Sequence, residues 1–464
     1  MRIVSFSKTI PTLAPALLAL AVAGCAGGAG SIATPGGSQP QGTARHAART
    51  HPPSISHFDG FESLYAFTVS LDSGNVIHPY AGVYQDSASS LYVPLNGQES
   101  VNYGAIVKLT KSGKNFNPTV IHAFSGGSDG AHPKGALVAD GDTLYGTTAR
   151  GGSSSLCSGI GCGTVFSLTP AENGYNGYDY AIDCIFKGSP SDDPAELHAG
   201  LVEYKGTFYG TSNAGGSAND GTVFSFSPKT KKCKVLYSFQ NGPNDGGNLN
   251  GALIVVGGTL YGTASTGGGT GCGGSGCGTV FSMPLSGGTP TVLHAFSGVA
   301  PDGANPEAAL VADSKGALYG TTAAGGKYGN GMVFQIASGK FNDLYDFEGY
   351  AMGDGQTPWS TLTLQKGGYL YGTTQAGGSG TCTQESAIVG CGTVFQLNPG
   401  NPYTEDILYS FTGAANPPDG DIPYAGVLIG KGGLMYGTTY NGGSTDANLC
   451  PNGCGLIFEA RPVR

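Results

Sequence analysis

The chain writes one nine-residue phrase six times, and this recurrence limits its fold more than any other feature. LYGTTARGG begins at residue 144, FYGTSNAGG at 208, LYGTASTGG at 260, LYGTTAAGG at 318, LYGTTQAGG at 370 and MYGTTYNGG at 435. Self-similarity at a fixed spacing means a structural unit that buries its apolar face against copies of itself. The other reading of such a phrase is a phosphate-cradling loop. That reading fails on the residues: no GK[ST] is present and no strand-to-helix context surrounds the glycines.

The repeat is longer than nine letters. GALVAD (135–140) precedes the phrase and GTVFSLTP (163–170) follows it. TVIHAF (119–124) has counterparts in KVLYSF (234–239), TVLHAF (291–296), FNDLYDF (341–347) and DILYSF (406–411). A turn then leads into the next copy: SDGAHP (128–133), PDGANP (301–306), GDGQTP (353–358) and PDGDIP (418–423). Each unit therefore holds four short apolar or alternating runs separated by Gly, Pro, Asp and Asn, which is the pattern of four strands joined by turns. We label them a (ALVAD), b (LYGTT), c (GTVFSL) and d (TVIHAF). A degenerate copy at 80–124 brings the total to seven, with strand b at Leu91, Leu144, Phe208, Leu260, Leu318, Leu370 and Met435, about 57 residues per step.

Four strands repeated seven times predict an all-β chain, a seven-bladed β-propeller of four-stranded blades. The ends predict how the ring closes. FESLYAF (61–67) has the pattern of strand d but precedes the first unit, whereas the last unit stops after strand c at GLIFEA (455–460). The N-terminal strand should complete the last blade and remove the open edges. If the four strands run up and down, the b–c loops and the d–a turns share one rim, and loops on a rigid scaffold are where binding usually resides.

The tyrosines of strand b, at 145, 209, 261, 319, 371 and 436, are expected to pack between blades, and the Gly after each should seat an aromatic of the neighbouring blade. Asp129, Asp245, Asp302, Asp354 and Asp419 sit in the Asp-Gly turns. Their first role is to accept backbone N–H groups within the turn. The functional alternative is a ligand rim, with calcium held by oxygen ligands.

Eleven cysteines divide cleanly. Cys157/Cys162, Cys272/Cys277, Cys382/Cys391 and Cys450/Cys454 fall as pairs inside the b–c loops of 10, 9, 13 and 11 residues, while the two four-residue loops, 217–220 and 327–330, carry none. That is the pattern of disulfide staples in an oxidising compartment. Metal binding is disfavoured because the spacings vary and no CxxC occurs. Cys184 and Cys233 lie on strand d of consecutive units, where a bridge between blades is an option. The last, Cys25, belongs to the leader.

That leader is an address. Arg2 and Lys8 precede the apolar run LAPALLALAVA (13–23), the n- and h-regions of a signal peptide over 1–24. It ends in VAGC, which resembles the lipobox of bacterial lipoproteins and implies acylation of Cys25. Two or more acyl chains anchor stably. Residues 25–57 hold almost no large apolar side chains and read as the lipidated Cys followed by a flexible linker with a reach of roughly 30 Å. Residues 58–464 form the propeller domain. The expected location is the outer membrane or cell surface through the lipid anchor, with a secreted or periplasmic form as the alternative.

The formal net charge is −9, only 11% of residues are charged, and no Lys/Arg cluster tracks a phosphate backbone, so nucleic acid is not an expected partner. No cofactor or metal site is signalled. The expected partners are the membrane and a cell-surface glycan or protein, met by a monomer.

The pattern DGANP…LVAD…LYGTTAAGG…GMVF (302–334) resembles the bacterial tandem-repeat family called GloVer, whose members carry various cell-surface anchors. The resemblance spans roughly 61–460 and implies surface attachment, with no catalytic residue to transfer. The function expected is a surface-anchored binding or scaffold module. An extracytoplasmic carbohydrate-active enzyme, a lyase or glycosidase, is the alternative. It would need groups that break the repeat pattern, for which His78, His132, His198, Arg150, Asp193 and Glu196 are the candidates.

Overall fold

The computed structural model describes residues 58–67, 78–97, 102–113, 115–152, 157–384, 387–413, 419–445, 450 and 452–462. Cys25 and the rest of 1–57, over which a signal peptide and linker are expected, lie outside them. Among the described residues seven antiparallel sheets of four or five strands follow one another as the blades of a seven-bladed β-propeller, with five two-stranded ladders beside them. Blade 2 is typical: strands a, b, c and d are Val138–Asp140, Thr143–Thr148, Thr164–Tyr175 and Tyr178–Ile185. In blade 1 strand a is split into His78–Pro79 and Tyr84–Gln85, both paired with Leu91–Asn96. Among the described residues no helix is long and apolar enough to cross a membrane.

The ring closes as the ends predict. Phe58–Ala66 pairs antiparallel with Leu456–Pro462, in the sheet that also holds strands a and b of blade 7. Phe61 stacks on Tyr409 of blade 6 with ring centroids 4.0 Å apart, and Phe67 is fully buried. One N-terminal strand therefore supplies both the missing ladder and part of the blade 6–7 core.

The repeated letters have distinct duties. In strand b, Gly146 lies directly opposite Phe166 of strand c in its own blade, and a Cβ on Gly146 would stand 2.4 Å from that ring. The same pairing joins Gly210 to Phe224, Gly262 to Phe281, Gly320 to Phe334, Gly372 to Phe395 and Gly437 to Phe458. The glycine thus seats its own blade's aromatic, not the neighbour's. The reason is geometric: direct cross-strand partners have the closest Cβ atoms in a sheet. Blade 1 provides the exception that explains the rule, since Val93 replaces the glycine and its partner Val107 replaces the phenylalanine.

The tyrosines do reach across. Tyr145 packs on Phe208 of blade 3 at 4.5 Å, Tyr209 joins a core cluster with Leu260 and Phe281 of blade 4, and Tyr371 one with Met435 and Phe458 of blade 7. The first Thr of LYGTT makes the polar joint. Thr147 donates to the carbonyl of Ala199 at 2.8 Å, Thr211 to Gly251 at 2.9 Å and Thr263 to Ala308 at 2.8 Å, each in the following blade. Pro94 stands at this position in blade 1 and cannot donate. There His132 of blade 2 takes over, its Nδ1 lying 3.2 Å from Asn96 Oδ1 and 3.1 Å from the Gly97 carbonyl.

All ten cysteines after Cys25 are bridged: Cys157–Cys162, Cys272–Cys277, Cys382–Cys391 and Cys450–Cys454 within b–c loops, and Cys184–Cys233 between the outer strands of blades 2 and 3. The registers of those two outer strands differ in their own sheets, but a strand's register inside one sheet does not set its height against another sheet.

Candidate functional site

The d–a turns and b–c loops share one rim, and short ladders tie them together. Gly303–Ala304 pairs with Ala324–Gly325, Gly355–Gln356 with Ala376–Gly377, and Gly420–Asp421 with Asn441–Gly442. The turn aspartates hold this junction. Asp302 accepts from Ser297 N–H at 2.8 Å and from Gly303 N–H at 2.9 Å. Asp245 and Asp419 repeat the pattern with Gln240 and Gly246, and with Thr412 and Gly420. Asp354 accepts from Glu348 and Gly355, and Asp129 from Ser125. These carboxylates point back into their own turns. His122 beside Asp129, and His294 beside Asp302, help hold the two carboxyls below the usual range against the opposing push of burial. Asp193 occupies the same place in blade 3, with Pro194 where the others have Gly, and accepts from Lys187 N–H. It is a turn residue in disguise rather than a departure from the repeat.

Two residues after each of these turns the chain takes a left-handed conformation. His132, Glu196, Asn248, Asn305, Thr357 and Ile422 have φ between 53° and 57°. A β-branched residue there is an outlier held by its surroundings. The holding groups are the same each time. Ile422 N–H bonds to the Cys391 carbonyl of blade 6, and its own carbonyl accepts from Tyr440 N–H of blade 7. Two more residues on, the chain arrives at the propeller axis.

There the seven blades meet around a cavity of about 660 Å³ lined by 80–83, 134–136, 198–202, 250–254, 307–311, 359, 361–363 and 424–428. The first residue of each stretch is the equivalent position in every blade: Tyr80, Lys134, His198, Asn250, Glu307, Trp359 and Tyr424. Small residues follow it, such as Ala199–Gly200 and Ala308–Ala309, because strands converging on an axis leave no room for larger ones. Deeper still, Val202, Ile254, Val311 and Leu428 form an aliphatic collar.

The mouth is divided into two arcs. Trp359, Tyr424 and Tyr80, from blades 6, 7 and 1, form an aromatic arc. Tyr424 lies 5.4 Å from Trp359 and 4.7 Å from Tyr80, and Tyr440 meets it edge-on at 5.3 Å. Burial pushes the Tyr424 hydroxyl up to about 12. Facing this arc, blades 2 to 5 supply a hydrogen-bond chain. Lys134 Nζ lies 3.3 Å from His198 Nε2, His198 Nδ1 lies 2.9 Å from Asn250 Oδ1, and Asn250 Nδ2 donates to Glu307 Oε2 at 2.6 Å. Asn213 Nδ2 also donates to Asn250 Oδ1. An ammonium can only donate and a carboxylate can only accept, so the chain has one polarity, from Lys134 to Glu307.

The titrations follow the same geometry. Burial, with the Lys134 and Arg150 charges, lowers the His198 imidazole to about 3, so the ring is neutral. Burial raises the Glu307 carboxyl to about 7 against the opposing Asn250 hydrogen bond. Glu307 still touches the cavity, and its neighbours displace most of its solvation.

The off-consensus residues scatter across these roles. His198 alone stands at the mouth position. His78 and His132 sit two residues earlier and brace blade 1 against its neighbours, His78 through Nδ1 and the Tyr440 carbonyl at 2.7 Å. Arg150 and Glu196 pair at 3.5 Å beside His198. Cys382, Cys391 and Asp421 cluster as a metal site would, but the two sulfurs are bonded to each other and cannot serve as thiolate ligands.

The repeat agrees with the sequence family. The model of the Gloeobacter/Verrucomicrobia repeat matches residues 29–275 and 271–463. The chain belongs to this family. No curated protein sequence matches it. Among solved structures, TolB of Acinetobacter baumannii is 10% identical at a TM-score of 0.37, covering 73% of this chain and 65% of its own. A candidate 6-phosphogluconolactonase of Bacteroides fragilis is 12% identical at 0.45, covering 75% and 86%. A candidate glucose dehydrogenase-type oxidoreductase of Thermus thermophilus is 13% identical at 0.41, covering 86% and 99%. In this member of the repeat family the blades agree on scaffold residues and disagree at the mouth.

Proposed function

We propose that the protein is an extracytoplasmic binding module that holds a ligand at the channel mouth and is tethered to the outer membrane or cell surface by acylated Cys25. One observation carries the binding reading. A single equivalent position yields Tyr, Lys, His, Asn, Glu, Trp and Tyr in seven blades that otherwise repeat their residues. A scaffold alone has no use for six different side chains around one cavity, and such concave, mostly apolar sites with a few converging polar groups are where ligands bind. Five disulfides support an oxidising location. The mouth position supplies one carboxyl among seven residues, whereas glycoside hydrolysis by the usual route needs two. This favours binding over turnover.

Trp359 is the only tryptophan of the chain and lies in the mouth, so its emission reports on occupancy. Envelope-derived ligands should shift that emission saturably in the wild-type protein and fail to do so in Tyr424→Ala. A ligand that binds without moving Trp359 and binds Tyr424→Ala equally well places the site elsewhere. For the tether, Cys25→Ser should move the protein from the membrane to the soluble fraction. Retention on membranes would contradict the anchor.

A further inference from the structure

We infer that the ligand of the mouth is a saccharide, bound through a neutral pyranose unit. The inference rests on the mouth being the site, and three features of that site select the class. First, the aromatic arc offers flat, polarisable surface from Trp359 and Tyr424. A pyranose presents a face of C–H groups that stacks on such rings, much as other apolar groups do. Second, the facing arc offers donors and acceptors in one ordered chain, with an ammonium at one end and a carboxyl at the other. A sugar hydroxyl both donates and accepts, so it can be satisfied anywhere along that chain. Third, the cavity of about 660 Å³ falls in the range of small-ligand sites.

The same features argue against the competing ligands. An aromatic cage for a quaternary ammonium needs an aromatic surface that no other cation occupies. Here the Lys134 ammonium already stands 5.6 Å from the Tyr80 ring centroid. An anionic unit would meet Lys134 but also Glu307, whose raised carboxyl ionises near neutrality and would then repel it. An acyl chain would suit the aliphatic collar of Ile254 and Val311, yet would leave the polar arc desolvated and unpaired.

The test uses the full-length protein and Trp359 emission, titrated with neutral gluco-, manno-, galacto-, xylo- and N-acetylglucosamine oligosaccharides. Oligogalacturonate, choline and laurate are run in parallel, with calorimetry on every responder. At least one neutral oligosaccharide should give a saturable shift. Asn250→Ala and Tyr424→Ala should weaken it by about tenfold or more, while Tyr424→Phe, which keeps the ring, retains binding. Unchanged melting of each variant shows that the loss is local. If no neutral oligosaccharide binds, the inference falls. If choline or laurate shifts Trp359 instead, the inference falls but the mouth remains the site. If an oligosaccharide binds by calorimetry while Trp359 and both alanine variants are indifferent, the mouth itself is the wrong place.

Discussion

Two positions of the same repeat behave in opposite ways. The glycine of LYGTT is kept in six blades and compensated in the seventh, where Val93 and Val107 exchange together. The residue five beyond the turn aspartate, at the channel mouth, changes in almost every blade. The first lies between close-packed strands, where one methyl group is felt. The second lines the cavity mouth, where neighbouring blades meet through unlike side chains rather than one repeated contact. Positions that set the spacing of the strands repeat, and the mouth position, which sets the chemistry of the cavity, varies.

The largest predicted effect lies at the closure of the ring. Phe67→Ala empties a fully buried site beside the first and last strands and should cost about 3–5 kcal/mol in urea unfolding. Removing 58–67 altogether should abolish a single cooperative melt, and an unchanged melt would mean that the ring does not need this strand.

Next comes the glycine. Gly262→Val drives a side chain into Phe281 and Leu253, whose nearest atoms would lie 2.7 Å from its Cβ, and should destabilise by about 1–3 kcal/mol. Gly262→Val combined with Phe281→Val reproduces the pair of blade 1. A double-mutant cycle should show the two changes partly rescuing each other. Simple additivity would separate glycine from phenylalanine and break the comparison.

A smaller effect is expected at the polar joint. Thr263→Val removes the donor to the Ala308 carbonyl and should cost about 1 kcal/mol, while leaving ligand binding intact.

The stability effects at the mouth depend on pH. Glu307 is raised from 4.5 to about 7 on folding, so its protonated form favours the native state. That contribution is whole below pH 4.5 and is lost as the pH rises to 7. Glu307→Gln should flatten the stability profile across this window. His198 is lowered from 6.5 to about 3, so its contribution is whole above pH 6.5 and is lost on acidification toward pH 3. His198→Gln should flatten the acid side instead. Melting curves of each variant against wild type from pH 3 to 8 read both effects as differences.

Much of the scaffold was legible in the letters. Blade number, four strands per blade, the shared rim and the closing strand all follow from periodicity and turn chemistry, which act locally. The mouth was not legible in the same way. Trp359, Tyr424 and Glu307 sit between a turn and a run of small residues, and a search for consensus passes over a position whose nature is to vary. The usable signal was the offset: each stands five residues after its turn aspartate, as Glu307 does after Asp302 and Trp359 after Asp354. Departure from consensus alone misled, because it selected His78 and His132, which brace blade 1. It also selected Asp193, an ordinary turn aspartate followed by proline.

The most direct measurement of the account is thermal melting with and without saturating ligand, for wild type, Tyr424→Ala, Asn250→Ala and Thr263→Val. The account predicts that Tyr424→Ala and Asn250→Ala melt close to wild type without ligand and lose the ligand-induced rise. Thr263→Val should melt lower and keep the rise. Mouth variants that melt far below wild type yet retain the full rise would contradict the division between residues that build and residues that bind.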